Sequence, residues 1–89
     1  MTAHSSHPDI VKRLKKVQGH LAGVVAMLEQ SRDCLEIAQQ LQAVEKAIAN
    51  AKKTLVHDHL DRCLDLAVGA DVKKSKASVK EFKEITKYL

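Results

Sequence analysis

Residues 34–67, CLEIAQQLQAVEKAIANAKKTLVHDHLDRCLDLA, contain neither proline nor glycine, and the next breaker is Gly69. Within them Cys34, Leu41, Ile48 and Leu55 recur every seven residues, interleaved with Ile37, Ala38, Val44 and Ala51. Apolar residues at that spacing fall on one stripe of an α-helix. The segment therefore reads as one long helix of about 50 Å at ~1.5 Å per residue. Asp33, three residues ahead of Glu36, predicts a capping box at its start. Gly69 predicts its C-terminal stop.

Two shorter helices flank it. Pro8 suits a first helical position, and Ile10, Leu14, Val17, Leu21, Val24 and Leu28 then alternate by threes and fours. Gly19 and Gly23 interrupt that helix at about 1 kcal/mol each against alanine, which predicts close approach of another helix. A third helix is expected after Ser75, with Val79, Phe82, Ile85 and Leu89 on one side. The expected fold is all-α: a three-helix protomer with one long central helix, a single domain over residues 1–89, and residues 1–7 as a flexible tail. Such a central helix exceeds what an 89-residue monomer can cover, so a second chain is expected along it.

Composition agrees. Two per cent aromatic residues, three glycines and one proline argue against an all-β chain and against base stacking on single strands. A 29% charged chain with 45% hydrophobic residues is not disordered. No apolar run approaches the ~18–20 residues of a membrane span, and residues 1–8 lack a secretory pattern, so the expected compartment is the cytoplasm with no membrane partner. The net charge of +4 is a weak pointer to polyanions. Its distribution says more: Lys12, Arg13, Lys15 and Lys16 cluster on the first helix, and Lys46, Lys52 and Lys53 lie on the second.

The chemistry lies with the cysteines. His59 and Cys63 stand at i and i+4 on one helix face, a spacing that lets two side chains grip one ion. Cys34 precedes His59 by twenty-five residues, and ~100° per residue returns it to within about 20° of the same face. At ~1.5 Å per residue the two are nearly 40 Å apart along one helix, so they cannot share an ion within a chain. An antiparallel pair of such helices lays Cys34 of one chain beside His59 and Cys63 of the other, and twofold symmetry makes two bridging sites. Two thiolates and one imidazole suit Cu(I), Zn(II) or Ni(II) rather than Mg or Ca. Three ligands satisfy Cu(I), whereas His4 or His7 as a fourth ligand would turn the site toward Ni(II). His57 and His20 are expected to be surface residues.

The segments Arg32-Asp33-Cys34, Gln39 to Val44 and His57 to Cys63, with Arg13-Leu14 and Gly19-His20, resemble the copper-sensitive operon repressor family (the CsoR/RcnR group). The resemblance covers nearly the whole chain, and Cys-x₂₄-His-x₃-Cys is a specific pattern. It implies an all-α homodimer, an antiparallel four-helix bundle assembling as a dimer of dimers. It implies double-stranded operator DNA held by basic residues of the first two helices and released when metal binds. Cys34, His59 and Cys63 fall on the family's ligand positions. Copper-sensing members usually carry Tyr just before the first Cys, where this chain has Asp33, and some nickel sensors combine Asp there with an N-terminal His. An arginine common in the second helix of the family is Asn50 here. Cys63 distinguishes the chain from formaldehyde-sensing relatives.

The leading expectation is therefore a repressor that binds operator DNA metal-free and dissociates on binding Cu(I), derepressing metal efflux or detoxification genes. The alternatives are a Ni(II)- or Co(II)-sensing repressor using an N-terminal His, and a metal buffer or chaperone without DNA. An enzyme is not expected, since both cysteines sit on a packing seam and no acid–base constellation accompanies them.

Overall fold

A computed structural model describes residues 6–69 and 72–89, with side chains described for 6–65 and 75–89. Helix α1 (His7–Glu29), helix α2 (Cys34–Gly69) and helix α3 (Val72–Ile85) follow in order, and a 3₁₀ turn spans Thr86–Tyr88. No strand occurs among the described residues. The all-α expectation holds, and α2 is one helix of 36 residues, about 54 Å long. Of the tail expected over 1–7, residues 1–5, His4 among them, lie outside the described residues, while His7 belongs to α1. Helix α3 begins ahead of the start expected after Ser75, because the lysines at 73, 74 and 76 are good helix formers and carry the helix toward its N-terminus.

The chain divides into two compact units, one of Pro8–Lys52 and one of Lys53–Leu89 with the segment before Pro8. In the first, α1 and the first half of α2 pack as a hairpin around Val24, Ile37 and Val44, with Val17 and Met27 against them. The heptad seam of each helix splits into two rows. Ile10 and Val24 of one row, and Ile37, Val44 and Ala51 of another, are buried. Leu14, Leu21 and Leu28 remain 40–56% exposed, as do Leu41 at 44% and Ile48 at 47%. The row headed by Cys34 is thus the one that does not pack within the chain. Gly19 and Gly23 behave likewise: a Cβ added at either meets nothing within 4 Å, so the close approach expected of them is not made inside this hairpin. In the second unit the buried positions of α2 are Val56 and Cys63, again seven apart.

Helix α1 ends in a Schellman turn. Arg32 N–H donates to Met27 C=O at 2.9 Å and Ser31 N–H to Leu28 C=O at 3.1 Å, which brings Ser31 to φ 54°. A left-handed residue with a Cβ costs about 1–2 kcal/mol, and glycine is the usual solution. Ser31→Gly is expected to raise stability by about 1 kcal/mol, read as a higher urea midpoint at unchanged slope. At the start of α2 Ile37 N–H donates to Asp33 C=O at 3.0 Å, while the Glu36 carboxylate expected in the capping box is engaged by a side chain. Glu36 Oε1 accepts a bond from Arg32 Nη2 at 2.7 Å, since a charged donor outcompetes a backbone amide.

Candidate functional site

The second unit gathers three donors. His59 and Cys63, one turn apart on α2, face Glu81 of α3, and their ligand atoms with a Glu81 oxygen all lie within 4.8 Å of one another. The Cys63 thiol donates to Glu81 Oε2 at 3.9 Å, and His59 Nε2 stands 3.6 Å from the same oxygen. Cys63 is 3% exposed. Burial pushes its thiol above the usual range and the Glu81 carboxylate adds to the shift, with Arg62 acting in the opposite sense. The thiol is therefore protonated at neutral pH, and a metal must displace that proton to bind. A thiolate and an imidazole held one turn apart are soft donors that fit Cu(I), Zn(II) or Ni(II). Glu81 has no signal in the sequence: it lies eighteen residues beyond Cys63, in a segment where exposed Lys and Glu alternate.

Cys34 behaves differently. It opens α2, is exposed, and is not part of this donor cluster. The two ends of the expected ligand set thus occur in one chain as a preassembled pair and a detached thiol. Next to His59 in the same unit, Ser6 Oγ donates to Asp58 Oδ2 at 2.8 Å. That bond ties Ser6 to the turn of α2 that carries His59.

The basic residues lie where a polyanion can reach them. Lys12, Arg13, Lys15, Lys16, Lys46, Lys52 and Lys53 are all exposed. Arg13 and Lys16 line a groove of about 300 Å³ with His20 and Asn50, floored by Val17 and Ala47. Arg13 Nε meets Asp9 Oδ2 at 2.8 Å, which leaves its terminal nitrogens for another acceptor. Lys15 lies elsewhere, on the rim of an apolar groove formed by Val11, Leu14, Val17, Leu21 and Ile48. His57 is exposed, as expected. His20 corrects its expectation: it is half-buried, and its Nε2 pairs with Gln40 Oε1 at 2.7 Å across the hairpin. Gln40 on α2 offers an amide partner that no inspection of α1 alone reveals.

The chain is 40% identical over 58 residues to the copper-sensing transcriptional repressor CsoR of Mycobacterium tuberculosis, a stretch covering 65% of this chain and 49% of that protein. It is 35% identical over 72 residues to the copper-sensing repressor RicR of the same species, covering 75% of each. The chain spans about half the length of the CsoR proteins it matches. Among solved structures, the nickel-responsive transcriptional regulator InrS superposes with a TM-score of 0.82 at 27% identity, covering 100% of this chain and 99% of that one. No helix among the described residues is long and apolar enough to cross a membrane. Residues 6–88 match the metal-sensitive transcriptional repressor family, and the chain belongs to it.

Proposed function

We propose that this chain is a copper-responsive repressor: an assembly that holds operator DNA metal-free and releases it when Cu(I) joins Cys34 of one chain to His59 and Cys63 of another. The observation that carries this reading is the division of donors. His59 and Cys63 stand together, whereas Cys34, exposed and about 37 Å away along the same helix at ~1.5 Å per residue, lacks any means of joining them in its own chain. An antiparallel partner supplies it. The exposed rows Leu14/Leu21/Leu28 and Leu41/Ile48 give that partner an apolar surface, so the working unit is a homodimer, and paired dimers make a tetramer. Lys12, Arg13, Lys15 and Lys16 with Lys46, Lys52 and Lys53 contact phosphates. Release then requires only that the metal-linked arrangement bind DNA less well, a coupling of about 5–150-fold in known allosteric systems. The copper-sensing names of its relatives support the choice of ion.

A second reading is favoured by one specific bond. Ser6 to Asp58 ties the residue just ahead of His7 to the turn of α2 that carries His59, and His4 or His7 as a fourth ligand would make a Ni(II) or Co(II) site, in line with the nickel-responsive structural neighbour. Removing residues 1–7 is expected to leave Cu(I) affinity within about threefold while weakening Ni(II) by about 10-fold or more. Anaerobic competition titrations measure both, and a truncated chain that no longer releases DNA with Cu(I) overturns the copper reading.

The test of the function itself is anisotropy with DNA selected from genomic fragments by the metal-free protein. Specific binding about 10³-fold or more above random duplex is expected, with a steep salt dependence. Arg13→Ala should weaken it and reduce the log–log salt slope by about 1, with metal affinity unchanged. Absence of selective DNA binding would leave a metal buffer as the function.

A further inference from the structure

We infer that His59, Cys63 and Glu81 form a second metal-binding mode, complete within one chain, that takes a divalent ion such as Zn(II) or Co(II) without Cys34. It shares two ligands with the proposed Cu(I) site but does not require the partner chain on which that reading rests. The spacing of the donors carries the inference. With Zn–N and Zn–O bonds of about 2.0–2.1 Å and Zn–S of about 2.3 Å, a tetrahedral ion has N···O edges of about 3.4 Å and S···O edges of about 3.6 Å. The observed separations, 3.6 Å from His59 Nε2 to Glu81 Oε2 and 3.9 Å from Cys63 Sγ to the same oxygen, lie close to those edges. A direct imidazole–carboxylate hydrogen bond would be much shorter, about 2.7–2.9 Å. Glu81 is set apart from His59 and Cys63 by roughly the width of an ion, and all three donors lie within 4.8 Å of one another.

The donor chemistry decides which ion. A carboxylate oxygen is a hard ligand that suits Zn(II) and Co(II), whereas Cu(I) gains little from it and prefers a second thiolate. One thiolate, one imidazole and one carboxylate make three protein ligands and leave a fourth position for water. That position is accessible, because the Glu81 side chain is 65% exposed and that of His59 28%. The ion would also tie α3 to α2, giving the third helix a direct link to metal. The two modes exclude each other, since each uses His59 and Cys63. Whether Glu81 or the partner's thiol completes the set becomes the point at which divalent ions and Cu(I) are told apart.

Co(II) serves as the spectroscopic probe and Zn(II) as its competitor, on the reduced full chain. Cys34→Ala is expected to bind Co(II) within about threefold of the parent, with tetrahedral d–d bands and charge-transfer intensity of a single thiolate. Glu81→Ala is expected to weaken Zn(II) by about 100-fold or more, beyond the usual effect of an outer-shell partner, while Cu(I) affinity changes by less than about 10-fold. Both substitutions are at exposed positions, and unchanged helical circular dichroism checks the fold. Loss of Co(II) binding in Cys34→Ala overturns the inference and leaves the copper reading standing. Equal losses of Zn(II) and Cu(I) in Glu81→Ala also overturn it, reducing Glu81 to a support for His59. Unchanged Cu(I) affinity in Cys34→Ala would instead overturn the copper reading alone.

Discussion

A Cys34→Ala chain should stay folded and keep its affinity for DNA, yet no longer release that DNA when Cu(I) is added. Its Cu(I) affinity is expected to fall by about 100-fold or more, since loss of even an outer-shell partner typically costs 10–100-fold. The substitution is a clean probe because Cys34 is exposed, so truncating it opens no cavity and stability should move by less than about 0.5 kcal/mol. Cys63→Ala lacks that clarity: Cys63 is buried, and its loss would disturb packing as well as ligation. The inter-chain origin of the ligands has its own signature. Mixing Cys34→Ala with a His59→Ala/Cys63→Ala chain should, after subunit exchange, restore one tight Cu(I) site per heterodimer, although neither parent has one. A mixture that recovers no affinity would place all the working ligands within one chain.

Much of the fold and two of the three clustered donors are legible in the amino-acid sequence alone. Uninterrupted apolar periodicity from Cys34 onward predicts α2, and Gly69 its end, because helix propensity and a missing Cβ act locally. The i, i+4 pair of His59 and Cys63 is equally local. Periodicity does not assign which row faces inward. Ile37/Val44/Ala51 and Cys34/Leu41/Ile48/Leu55 both repeat every seven residues and both are apolar, so the choice depends on where α1 lies rather than on α2 itself. The Schellman turn at Ser31 is hidden for a different reason: its geometry normally selects glycine, and serine carries no signal for it. Glu36 reads as a capping residue, but Arg32, one turn earlier, competes for its carboxylate. Glu81 is beyond reach altogether, because an acid among lysines on an amphipathic helix is ordinarily solvated, and only the chain's return along α3 brings it to Cys63.

The rows left exposed lead to the other large effect. Ile48→Lys should convert the assembly to monomers at micromolar concentration. Ile48 is 47% exposed in the isolated chain and lies in an apolar groove with Leu14 and Leu21, on the row proposed to meet the partner. Burying such a side chain contributes about 1.5–3 kcal/mol, and twofold symmetry applies each substitution twice. The loss of about 3–6 kcal/mol corresponds to a dimer dissociation constant raised roughly 10²- to 10⁴-fold, before the added cost of placing ammonium groups in an apolar interface. Sedimentation velocity reads the change, and Lys46→Ala, on the same helix, serves as the control that should leave the parent's assembly intact. An Ile48→Lys chain that sediments like the parent would remove this row from the interface and with it the antiparallel bridging site. The same variant separates the two metal modes, because Cu(I) affinity should collapse with the assembly although no ligand has been altered. Co(II) bound by His59, Cys63 and Glu81 should survive in any monomer that keeps its helical circular dichroism, since that site needs only the return of α3 onto α2.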